Sequence, residues 1–213
     1  MTFLGQFEDG LGRYFRKSAG VYILVVALFL LGVVAGSLAV NALNGTQQSE
    51  LADYFEVFLR GLTRTADTVP PDQVTAGALQ AYLKTTGMMW VLAVSVAGIP
   101  FVGLLLAIKG FALGFAASFL MQQMGARGVV FSLVAVLPQN LIAIPALLII
   151  GASSISFSLA TLAARRKRRQ FPWVREFLGF SLLILIMAVC LFAASLIEGY
   201  VSPALMRFIS RIM

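Results

Sequence analysis

Apolar runs long enough to cross a bilayer alternate along this chain with short polar or basic junctions. A hydrocarbon core needs about 20 helical residues, and residues 20–40 supply the first such run. Residues 87–121 are apolar apart from a lysine in the middle, so they read as two spans, 87–108 and 110–121, turning at Lys109. In that reading Lys109 snorkels to the interface and Pro100 kinks the span before it. Residues 129–161 and 177–197 complete five membrane segments. Backbone groups in lipid find no water, so the segments are helices. The predicted fold is all-α, a polytopic membrane helical bundle forming one domain, 1–213.

The longest segment is also the least uniform. Pro138, Gln139 and Asn140 interrupt it, Pro145 follows, and Ser153, Ser154, Ser156 and Ser158 stud its second half. A proline inside a helix removes a donor and clashes with the preceding turn. Two amides beside it can satisfy the freed backbone groups but are costly against lipid. The expectation is one broken helix at the centre of the bundle, with Gln139 and Asn140 turned inward and the serines bonded to their own helix. Gly32 with Gly36, and Gly110 with Gly114, are small-residue pairs that permit close helix contact, within the chain or in a homo-oligomer. Glu198, ending the last span, is expected to be interfacial and hydrogen-bonded.

Two amphipathic stretches lie outside the spans. Residues 1–18 carry an apolar stripe with Arg13, Arg16 and Lys17 nearby, the pattern of an N-terminal interfacial helix. The polar segment 41–85 contains Ser49 as a helix cap, Glu50 and Asp53 in the first turn, and Leu51, Phe55, Phe58 and Leu59 on one face. Pro70 and Pro71 end that helix, and Asp72 caps the next.

Composition agrees with a membrane protein: 60% hydrophobic, 12% charged, and mean hydropathy +0.92. The net charge of +7 comes from basic residues at span ends, a topology signal rather than a nucleic-acid footprint. The run RRKRR at 165–169 sets the N-terminus, Arg175 and Lys109 in the cytoplasm, with 41–85 and the C-terminus outside. The sequence has no histidine and a single cysteine, Cys190. This removes the commonest general base and metal ligand, and with them a disulfide or thiolate site. With no paired aspartates or nucleotide fingerprint, the reading is no enzyme, no cofactor and no metal. A small-solute or ion transporter or channel using the broken helix at Pro138, Gln139 and Asn140 is the alternative.

The chain resembles the stage II sporulation protein M family of endospore-forming Firmicutes throughout its length. The resemblance rests on ordered stretches: VVAGSLAVNALN (33–44), GMMWVLAVSVAGIP (87–100), KGFALGFAASFLMQQMG (109–125), VLPQNLIAIPALLIIGASSISFSL (136–159) and AASLIEGYVSP (193–203). The wider family tends to have His-Gly after the Leu-Pro and an acidic residue before the second proline. Here Gln139, Asn140 and Ala143 stand there, without titratable groups.

The resemblance implies a multi-pass protein of the mother-cell membrane at the sporulation septum. Its implied role is a scaffold for peptidoglycan remodelling during engulfment. The implied partners are stage II sporulation protein P, an amidase/endopeptidase, and stage II sporulation protein D, a lytic transglycosylase. Leu51, Phe55, Phe58 and Leu59 are then the expected docking face. Replacing Phe55 and Phe58 with glutamate should release stage II sporulation protein P and leave membrane insertion intact. Unchanged partner recovery from detergent extracts of the double mutant would refute that assignment.

Overall fold

The computed structural model describes residues 3–51, 53, 70–95, 98–166, 173–202 and 204. Helix α1 covers Phe3–Asn41, α2 Pro71–Val94, α3 Gly98–Met124, α4 Ala126–Arg166 and α5 Trp173–Leu196, and a π-helical turn Ile197–Val201 continues α5. A further helix begins at residue 45. Four stretches are long and apolar enough to span a membrane: Ala19–Asn41, Gly98–Gln123, Leu137–Ala164 and Trp173–Val201. The all-α polytopic bundle is therefore present. Residues 3–18 continue α1 without a break, instead of forming the separate interfacial helix expected for 1–18.

The direction of packing decides the number of crossings. Gly110 and Gly114 lie against the backbone of Phe29 and Val33, and Gly32 and Gly36 against that of Ala107 and Phe111. Farther along the same seam the Ser37 and Ser118 hydroxyls stand 2.5 Å apart, and Gln122 Nε2 donates to Asn41 Oδ1 at 2.5 Å. Residue numbers rise together on both helices, so α1 and α3 are parallel. The chain must return between them, and α2, about 36 Å long at 1.5 Å per residue, is the returning element. Five helices thus run between the two ends of the bundle, four of them apolar enough to span a membrane. One end of the bundle gathers Asn41, Pro71, Gly125 and Val201. The other gathers Ala19, Ser95, Arg166 and Trp173.

Two span boundaries differ from the expected ones. The turn placed at Lys109 falls instead at Ser95–Gly98, and α3 runs straight through Lys109. Gly98 sits so close to the Leu92 carbonyl that a side chain would not fit. Pro100 occupies the first turn of α3, where its missing N–H is not needed. Ser158 Oγ donates to Ala93 O at 2.6 Å, satisfying a carbonyl freed by the end of α2. The segment 129–161 is likewise not broken: α4 is one 41-residue helix containing Pro138 and Pro145. At about 62 Å it is twice the thickness of a hydrocarbon core.

Helix α4 is the central helix. Buried residues make up 61% of its most apolar window, against 28% for each of the other three. Gly151 to Ser158 are buried without exception. Phe157 stacks on Phe180 (centroids 4.9 Å) and meets the edge of Trp173 at 5.6 Å. Trp90 packs on Phe177 and donates to Ser181 Oγ at 3.1 Å, joining α2 to α5.

Two threonine hydroxyls of α2 turn back on the backbone. Thr75 Oγ1 donates to Pro71 O and Thr85 Oγ1 to Ala81 O, both at 2.9 Å. Its start is preset by Pro71 at the first helical position; Pro70, not Asp72 as expected, holds the cap position, and Asp72 lies in the first turn beside the positive end of the helix dipole. The helix at residue 45 starts earlier than expected. Asn44 N–H donates to Gln47 Oε1 at 3.2 Å, half of a capping box, whereas Ser49 lies inside the helix and donates to Thr46 O.

Gly114→Ala would drive a methyl group into the Val33 backbone and should cost about 1–3 kcal/mol, the usual penalty for overpacking. Gly87→Ala and Gly179→Ala meet open space and should change stability by less than about 0.5 kcal/mol. Thermal unfolding in detergent compares the three; a Gly114→Ala protein as stable as Gly87→Ala would refute the interface.

Candidate functional site

Three helices present short-spaced faces to one cavity. On α2 the face is Ala78, Ala81 and Tyr82; on α3 it is Lys109, Ala112 and Ala116; on α4 it is Asn140, Ile144 and Leu147. Spacings of three and four residues place each set on one side of its helix. Phe29 of α1 and Glu198 of the π-helical turn close the cavity, which measures about 300 Å³. The alanines make the space, and Ala81, Ala112 and Ala116 are exposed, so they mark its mouth.

The polar groups enter from four elements. Lys109 is the twelfth of 27 residues in α3, so its ammonium group starts from the middle of a crossing and not from a helix end. Glu198 lies near the end of the bundle that holds Pro71. Its carboxylate Oε2 accepts a hydrogen bond from Tyr82 Oη at 3.0 Å. The π-helical turn aims it: Gly199 lies directly against Thr75 Oγ1 and the Pro71 carbonyl, so a side chain there would push α2 away. Wide turns of this kind recur at functional sites. The cavity therefore combines a cation, an anion whose orientation is fixed by a phenol, and the amide of Asn140.

The other site residues read from the sequence fall as follows. Gln139 is buried, and its Oε1 accepts from Ser202 Oγ at 2.8 Å, tying α4 to the end of α5. Pro138 and Pro145 lie within α4. Gly32, Gly36, Gly110 and Gly114 form the α1–α3 seam. Leu51 is half-buried in the helix that starts at residue 45. Phe55, Phe58 and Leu59 lie outside the described residues, as do 167–169 of the basic run.

Sequence reasoning placed Lys109 at a helix end and missed Tyr82 and Ser202. Gly98 and Pro100, taken as a helix start, would have moved Lys109 to mid-span. Among the described residues no three His, Cys, Asp or Glu side chains gather as a metal site would need.

A helical bundle with four membrane-length apolar helices, built around one long, doubly proline-containing helix, is a polytopic integral membrane protein. Residues 25–203 match the sequence profile of the family described as Stage II sporulation protein M, and the chain belongs to that family. Membership places it among sporulation-related membrane proteins. No curated protein and no solved structure matches the chain.

Removing one partner of a buried hydrogen bond leaves the other unpaired at a cost of about 1–3 kcal/mol, whereas replacing both is nearly neutral. Ser202→Ala should therefore destabilise the fold by about that amount, and Gln139→Leu added to it should restore part of the loss. Additive effects in a double-mutant cycle followed by detergent unfolding would show that the two side chains are not coupled.

Proposed function

We propose that the protein is a non-enzymatic scaffold that anchors and localises a peptidoglycan-degrading complex at the sporulation septum during engulfment. The observation that carries this reading is the family match over residues 25–203. In the proposed arrangement the chain lies in the mother-cell membrane with its N-terminus in the cytoplasm and its C-terminus outside. The positive-inside tendency supports that orientation, because Arg165 and Arg166 close α4 at the same end of the bundle as Trp173 and Arg175. Stage II sporulation protein P and stage II sporulation protein D are the proposed partners. They supply the chemistry, and this chain supplies position.

The geometry favours a scaffold over the transporter alternative on one point. Transporters use pairs of half-helix ends meeting at a break. Here α4 continues through Pro138, Gln139 and Asn140, so no such ends face each other there. The segment between α1 and α2 starts and finishes at one end of the bundle, a placement suited to presenting an extracytoplasmic docking face.

Affinity capture of the detergent-solubilised protein from sporulating cells, with bound proteins identified, is the direct test. We expect both wall hydrolases in the captured fraction. Recovery of neither from protein that remains folded would overturn the scaffold reading.

A further inference from the structure

The cavity between α2, α3 and α4 is unused by the scaffold reading and stands independently of it. We propose that it is a binding site for a small zwitterion, an ammonium group a few bonds away from an oxyanion. Lys109 takes the oxyanion and Glu198 the ammonium.

Charge balance selects this chemistry. A lone cation in the cavity would call for an anion, and a lone carboxylate for a cation. Lys109 and Glu198 together accept a ligand whose two charges are separated and cancel, so binding adds no net charge to this half-buried site. Glu198 is prepared for the role: Tyr82 Oη occupies only Oε2, and a carboxylate with two oxygens retains further acceptor capacity. Lys109 is an ammonium with three donors and no acceptor, suited to a carboxylate or phosphate oxygen. The volume of about 300 Å³ is at the lower end for small-molecule pockets, which are mostly apolar with a few convergent polar groups. Ala112 and Ala116, one turn apart and exposed, leave the mouth open.

Two sources carry this chemistry: a free amino acid reaching the cavity from solvent, and the headgroup of phosphatidylethanolamine reaching it from the bilayer. The test uses the purified full-length protein. Saturable uptake of radiolabelled L-alanine or D-alanine in a scintillation proximity assay reads the first source. Retention of phosphatidylethanolamine over phosphatidylglycerol, read by native mass spectrometry after reconstitution in mixed nanodiscs, reads the second.

We expect one of these zwitterions to bind saturably. Lys109→Met, Glu198→Gln and Ala112→Leu should each weaken that binding at least tenfold. Ala112→Leu keeps both charges and narrows the cavity, so it decides the matter if either charge variant loses its cooperative thermal melt. Failure of every zwitterion to bind the folded wild-type protein overturns the proposal. So does equal binding of acetate, ethylammonium or phosphatidylglycerol, and so does unchanged binding in Ala112→Leu. Hydrolase capture, scored separately, has no part in the outcome.

Discussion

Backbone-to-backbone contact between α1 and α3 governs the architecture. Lipid tails are as apolar as leucine, so no hydrophobic force draws two membrane helices together; close packing must do so. Four glycines, Gly32 and Gly36 on one helix and Gly110 and Gly114 on the other, bring each backbone against its partner over two turns. The Ser37–Ser118 and Gln122–Asn41 contacts extend the same register to the helix ends. Because the pair is parallel, a helix has to run back between them. That duty falls on α2, which with Asp72, Gln73, Gln80 and Lys84 is too polar to resemble a span. It runs through the bundle because it packs against α3, α4, α5 and the π-helical turn, which bury its threonines Thr75, Thr85 and Thr86, not because it is apolar in itself.

The cavity follows from the same arrangement. Helix α1 is committed to the glycine seam on α3, and α2 is held by Trp90 on α5 and by Ser158 on its last turn. The space between these two commitments is faced by alanines on α2 and α3, too short to fill it. Lys109, one residue before the first glycine of the α3 pair, is turned into that space by helical geometry alone. A single register therefore sets both the packing and the charge in the cavity.

Much of this was legible in the residues, and the failures have physical causes. Residues 20–40 and 177–197 nearly coincide with the spans Ala19–Asn41 and Trp173–Val201, because uninterrupted apolar runs leave no other solution. The inward turn of Gln139 was also legible, since an amide has no partner in lipid. Lys109 was misplaced because a hydropathy profile treats every charge as a boundary and cannot register a cavity that receives it. Pro138 was misplaced because a proline breaks a helix only when the lost hydrogen bond and the steric clash outweigh the packing around it. In a helix surrounded by neighbours they do not. Ser49 was taken for a cap ahead of Asn44 because both are good cap residues, and only the Gln47 contact separates them.

The placing of Lys109 and Glu198 on one cavity has an energetic implication. A lysine at the centre of a membrane helix costs about 2.5–3.5 kcal/mol on insertion scales. A bundle needing only to stand in the membrane would do as well or better with leucine at residue 109, which would also fill part of the cavity. The charges, the π-helical turn that aims Glu198 and the alanines that keep the mouth open all work against tight packing at one place. The glycine seam and the aromatic cluster around Phe157, by contrast, pack closely. A cavity furnished with charges of both signs, set beside such close packing, is the signature of a site, and it is this contrast within a single fold that gives the cavity its meaning.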